Sequence, residues 1–278
     1  DGVYLSCELD ALLDLLAPHA LAAMHWADEA GMAGATGGLL GQTGMLFYAQ
    51  ARHAEAEPLM RRAVAVAEAG FGRQHLRVAT ALNNLAQLLQ DTQRLDEAET
   101  CMRRALAIDE ARLGREHPGV ALRLNNLALL LKAAGRPAEA EPLLRRALSI
   151  DEARLGQGHP AVARDLGNLA ALLKATNRPD EAEPLLQRAV ALAEAGAGPA
   201  SVEAAIPLGN LALLLHHVRR LDEAEPLMRR ALGQFSASLG AGHPYASTVR
   251  RHYTALLREQ GHGEEEIEAA LAELGAGE

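Results

Sequence analysis

PGVALRLNNLALLLKAAGRPAEAEPLLRRALSIDEARLGQGHP, running from Pro118 to Pro160, decides the fold of this chain. From Val120 the apolar residues fall at Val120, Ala121, Leu124, Leu127, Ala128 and Leu131, which is one face of a helix. Pro118 suits the first helical turn, where its missing N–H costs nothing. Gly135 is a natural C-terminal stop. A second helix starts near Pro137, with Ala140, Leu143, Leu144, Ala147, Leu148 and Ile150 on its apolar side. It ends at Leu155-Gly156, and a short polar loop leads to His159-Pro160. The unit reads helix, turn, helix, loop.

The same text returns every 42 residues without insertion, as the glutamates Glu55, Glu97, Glu139, Glu181 and Glu223 show. Each opens EAEPL, except for EAETC at Glu97. RRA follows at Arg61, Arg103, Arg145 and Arg229, with QRA at Gln187. Upstream lies NNLA at Asn83 and Asn125, or GNLA at Gly167 and Gly209. A strict period of this length means a solenoid, in which each unit buries its apolar face only by stacking on its neighbours. Glu57–Arg61, Glu99–Arg103, Glu141–Arg145 and Glu225–Arg229 stand four apart with the acid first, the favourable order on a helix surface. Pro58, Pro142, Pro184 and Pro226 lie past the first turn, so a slight bend is expected in each second helix.

Of 278 residues, 49% are hydrophobic and only 3% aromatic, so the core is Leu, Ala and Val, a helix-favouring set. The formal net charge of -9 argues against a general nucleic-acid binder, which needs a basic face. Cys7 and Cys101 fit no metal spacing and read as reduced thiols, which points to the cytoplasm. No apolar run approaches the roughly 20 residues of a membrane span, so no membrane partner is expected. Asp1 is followed by polar and acidic residues with no basic n-region, so no signal peptide is read. A start at Asp rather than Met reads as a fragment or a processed chain. There is no GxxxxGK[ST], GxSxG or HExxH, so neither an enzyme nor a cofactor is expected.

Ala128, Gly135, Ala140 and Ala147 sit where the tetratricopeptide repeat places small residues, and Leu124 and Leu131 replace the aromatics of its common form. LNNLA, EAEPL, RRAL and LGxxHP together resemble the longer repeat of kinesin light chains and their bacterial relatives, over about residues 36–260. The resemblance implies an all-α, right-handed superhelical solenoid of antiparallel helix pairs. First helices would line the concave face and second helices the convex face. It also implies a protein-interaction scaffold that binds a peptide segment in the concave groove. Residues 1–35 are expected to be an N-terminal helical cap or the remnant of a preceding domain, with short helices over 5–30 broken at Pro18. Residues 36–245 hold five 42-residue units, and 246–278 form C-terminal capping helices. The fourth linker, Gly196-Ala197-Gly198-Pro199, has lost LGxxHP. The first unit carries Gly41-Gln42-Thr43-Gly44 where NNLA should stand. Two other roles stay open: a regulatory sensor array of a larger bacterial signalling ATPase, and a self-associating structural solenoid.

Family register places Asn84, Asn126, Asn168 and Asn210 at one groove-facing position of four successive first helices. An amide offers donors and an acceptor, so such a row either grips a peptide backbone or ties adjacent helices, and the two do not exclude each other. Asn83 and Asn125 add a second amide in two units. By the same register Gln87, Leu129 and Leu213 face the groove, as do Lys132, Lys174 and His216, with Arg164 one turn before the asparagine row and Arg251 on the terminal helices. The expected partner is therefore an acidic segment with an apolar anchor. His117, His159 and His243 all precede proline in register, which marks a structural role at a helix start, and no metal site is read.

Overall fold

The computed structural model describes residues 30–240 and 242–275, together with His19, Ala22, Ala23 and Trp26. Most of the expected N-terminal helices, and Cys7, lie outside the described residues. The described residues form twelve α-helices and no strand. They are α1 (Ala33–Ala49), α2 (His53–Phe71), α3 (Leu76–Asp91), α4 (Leu95–Leu113), α5 (Pro118–Ala133), α6 (Pro137–Leu155), α7 (Pro160–Ala175), α8 (Pro179–Ala197), α9 (Val202–His217), α10 (Leu221–Leu239), α11 (Pro244–Gln260) and α12 (Glu264–Gly275). The prolines inside the second helices leave each helix continuous. The chain divides into two compact units between Leu143 and Leu144.

In the first unit, Ala67, Val78, Ala79, Leu82, Ala105 and Ile108 form one buried cluster. Cys101 packs against it as a free, half-buried thiol, and burial pushes its pKa up. In the second unit, Val162, Leu166 and Ala189 form another cluster, with Leu148, Leu185 and Leu192 against it. Alanine fills the close contacts: Ala128, Ala140 and Ala147 are all fully buried. Burying one leucine contributes about 1.5–3 kcal/mol, so the solenoid rests on many such side chains rather than on a few aromatics.

The histidines before each first helix act as caps. The His117 Nδ1 accepts from the Gly119 N–H at 2.9 Å, His159 from Ala161 at 3.1 Å and His243 from Tyr245 at 3.3 Å. His75 does the same for Arg77 at 3.1 Å. Where the fourth linker lacks the histidine, the Ser201 Oγ accepts from the Ala204 N–H at 3.1 Å. Each satisfies one of the N–H groups that a helix start leaves without a partner.

Two kinds of turn alternate. The turn inside a pair needs one residue in the left-handed region: Ala51, Gln93, Gly135, Asn177 and Arg219 have φ between 57° and 73°. The linker between pairs places Gly72, Gly114, Gly156, Gly198 and Gly240 at φ between 83° and 91°. At Gly72, Gly114, Gly198 and Gly240 the ψ is 150–156°, a region that only glycine enters freely. That is why the fourth linker keeps Gly198 after losing the rest of its motif.

Arginines at the start of the second helices lace neighbouring helix pairs together at the surface. Arg94 bonds Glu97 at 2.7 Å and reaches Glu57 of the preceding helix pair at 2.5 Å. Arg136 repeats this with Glu139 and Glu99, and Arg220 with Glu223 and Glu183. The expected Glu57–Arg61 and Glu99–Arg103 pairs form at 2.9 and 2.8 Å. Arg229 departs from the pattern: α12 packs on α10 and offers Glu273 at 2.7 Å, while Glu225 accepts from Gln260. Exposed pairs of this kind are worth at most about 1 kcal/mol each.

Candidate functional site

In the first unit Asn84 and Asn126 are half-buried, but Asn83 and Asn125 are buried at 7% and 2% exposure. The Asn126 Nδ2 donates to Asn83 Oδ1 at 3.0 Å, and Asn83 Nδ2 lies 3.5 Å from Asn84 Oδ1. The amides therefore link α5 to α3 side by side. Removing one end should cost about 0.5–1.5 kcal/mol, so Asn126→Ala is expected to lower the urea midpoint slightly. An unchanged midpoint would rule the tie out.

Gln87, Asn126 and Leu129 come together in one cavity of about 310 Å³, which Tyr48, Gln90, Asp91 and Met102 complete. The Tyr48 hydroxyl donates to Asp91 Oδ2 at 2.5 Å. Burial, reinforced by that carboxylate, pushes the Tyr48 pKa up to about 12, so the phenol stays a donor. This cavity combines three side-chain amides with one acid. Lys132, half-buried on α5, has its pKa pulled down by burial.

A second cavity in this unit, of about 350 Å³, lies where glycines of α1 face α3. Gly34, Gly37, Gly38 and Gly41 line it, with Ala63, Ala67 and Phe71 of α2 and Arg77, Thr80 and Asn84 of α3. The Arg77 guanidinium is held by the Gly34 carbonyl at 3.1 Å and lies over the Phe71 ring.

In the second unit Asn168, Asn210, Lys174, Leu213 and His216 are half-buried, and Arg251 is exposed. Lys174 Nζ donates to the Leu213 carbonyl at 3.3 Å. His216 Nε2 lies 3.3 Å from Glu259, which Arg219 also binds. Arg164 is drawn onto carboxylates, at 2.8 Å from Asp165 and 3.1 Å from Asp151, so its charge is spent within the protein. His252 continues the asparagine row: it stands 42 residues after Asn210. Burial lowers its pKa, and the charges of Arg251, His216 and Lys174 lower it further.

Sequence reasoning missed Tyr48, Asp91 and His252. The step of 42 could have found His252, and the same step puts Tyr48 in the register of Gln90 and Lys132. Among the described residues no group of three or more His, Cys, Asp and Glu side chains could hold a metal ion, and no helix is long and apolar enough to cross a membrane.

The tetratricopeptide repeat family profile matches residues 38–111, 77–153, 124–195 and 203–271. This chain belongs to the tetratricopeptide repeat family, an all-α solenoid whose repeats mediate protein–protein interaction. Solved structures of the same fold include a putative kinesin light chain from Podosopora anserina with nearly identical TPR-like repeats, at 22% identity and a TM-score of 0.62, covering 72% of this chain and 94% of that one. BtubC (BKLC) from P. vanneervenii matches at 23% identity and a TM-score of 0.70, over 84% of this chain and 94% of that one. PilF of Pseudomonas aeruginosa matches at 19% identity and a TM-score of 0.52, over 85% of this chain and 97% of that one. These likenesses are of fold: helix pairs stacked as a tetratricopeptide solenoid. No curated protein gives a significant match.

Proposed function

We propose that the chain is a scaffold that holds an extended segment of a partner protein along its first helices. The observation that carries this reading is the cavity formed by Gln87, Gln90, Asn126 and Leu129. Its amides can pair with a peptide backbone regardless of side chains, and Leu129 with Met102 gives an apolar floor for one anchor. In the second unit the charges of Lys174 and Arg251, which both act on His252, favour an acidic neighbour to that anchor.

A displayed library of random peptides, selected on the full chain, tests this. Selected peptides should lose about tenfold in affinity on Gln87→Ala with Gln90→Ala, as two lost hydrogen bonds require. They should be enriched in Asp and Glu, weaken with salt over a screening length of about 8–10 Å, and bind Arg251→Glu less well. Failure to select any peptide, or hits indifferent to the paired glutamine change, would overturn the groove. Hits that depend on the glutamines but carry no acid would overturn only the partner's charge.

A further inference from the structure

Asp151 on α6 and Asp165 on α7 face each other inside the second unit, at 1% and 0% exposure. Arg164 serves both: its Nη2 donates to Asp165 Oδ1 at 2.8 Å and to Asp151 Oδ2 at 3.1 Å, and its Nε adds a bond to Asp165 Oδ1 at 2.9 Å. The other two oxygens, Asp151 Oδ1 and Asp165 Oδ2, are buried and receive no donor. Two carboxylates with one guanidinium leave a net negative charge in the core, and the Arg164 side chain is itself 38% exposed. Uncompensated charge in such a site is resolved by taking up a proton.

The repeat supplies its own comparison. One period earlier, Asp109 occupies the place of Asp151, and Arg123 the place of Asp165. There the contact is one acid to one base, with Arg123 Nε 2.8 Å from Asp109 Oδ2. One period later, Ala193 and Pro207 remove both charges. Only at this contact do two acids meet.

We infer that Asp151 and Asp165 share one proton between Asp151 Oδ1 and Asp165 Oδ2, and that this makes the packing of α7 on the second half of α6 pH-sensitive. With the proton in place one carboxyl donates to the other and both orphan oxygens are satisfied. With the proton lost, like charges oppose each other in a dry contact. The groups that act on the pair are few. Arg164 favours ionisation of both, and His159, at the start of α7, favours ionisation of Asp151. Arg188 of α8 is engaged elsewhere, with Glu152 at 2.5 Å. Burial outweighs these attractions and, with the charge of Asp151, raises the Asp165 pKa to about 6. Because the folded acid holds its proton more tightly than the unfolded one, this contribution to stability is full below the ordinary carboxyl range. It is lost as pH rises through about 6.

The test compares urea unfolding of the full chain and of Asp165→Asn from pH 4.5 to 8. An asparagine mimics the protonated acid at every pH. The variant should outlast the wild type at pH 8, and the ratio of their unfolding constants should shrink toward pH 4.5 by up to tenfold per pH unit. Asp109→Asn, at the contact with one acid and one base, should show a smaller gain at pH 8, because burial alone raises that pKa and no second acid adds to it. A wild-type-to-variant ratio that is constant with pH would overturn the shared proton. If Asp165→Asn does not fold, carbon-13 NMR of the wild-type aspartate carboxyls decides. One resonance pair titrating in two steps, the upper well above the ordinary carboxyl range, is expected. All aspartates titrating singly in that range would overturn it.

Discussion

Arg123→Ala destabilises the first unit by about 3–5 kcal/mol at pH 7, the usual cost of leaving one member of a buried pair alone. Arg123 and Asp109 are 12% and 6% exposed, so neither charge can turn to water instead. Burial already raises the Asp109 pKa, and Arg123 is the group that holds it back. Without Arg123 the acid can escape its penalty only by protonation. The sign follows: the variant's loss should be smallest at pH 4 and grow as pH rises through the new, higher Asp109 pKa. Urea midpoints at pH 4 and pH 7.5 check this, and an equal loss at both would show that Arg123 acts through packing alone. Asp109→Ala added to Arg123→Ala should recover much of the stability at pH 7, because the stranded charge then disappears.

Leu166→Ala should cost about 2–5 kcal/mol. Leu166 is fully buried in a cluster with Val162 and Ala189, against which Leu148, Leu185 and Leu192 pack, so its loss leaves a cavity in that contact. Contacts in a solenoid run between neighbours, so the weakening should stay local at first. Hydrogen exchange should show α7 and α8 opening before the first unit does. A loss under 1 kcal/mol, or uniform acceleration across both units, would contradict nearest-neighbour packing around this residue.

The helices were legible because their signals are local. His117 caps Gly119 two residues on, and Gly135 ends a helix whose face runs from Val120 to Leu131. The candidate site was read less well because its side chains choose partners across helices. Asn83 stands beside Asn84 in the text, yet one is buried and the other half-buried. Arg164 reads as a groove cation by register, but its charge depends on Asp151, thirteen residues back on another helix. The two facing acids follow from a single replacement, Arg123 by Asp165 one period on, visible only once α6 and α7 are known to meet there. The arginines that lace neighbouring helix pairs together escaped for the same reason. Arg94 bonds a glutamate three residues ahead, which sequence can show, and another 37 residues behind, which it cannot.

The turns inside the helix pairs bear on heat tolerance. Ala51, Gln93 and Arg219 occupy a left-handed conformation that an L side chain adopts at a cost of roughly 1–2 kcal/mol. Glycine would remove that strain at the expense of about 0.5–1 kcal/mol in the flexibility of the unfolded chain. The difference is small at each turn but has the same sign at all three. None of these residues lines the two cavities, and only Arg219 touches the polar cluster of the second unit, through the Glu259 that His216 also meets. Glycine at Ala51 and at Gln93 can therefore raise heat tolerance while both cavities stay as they are.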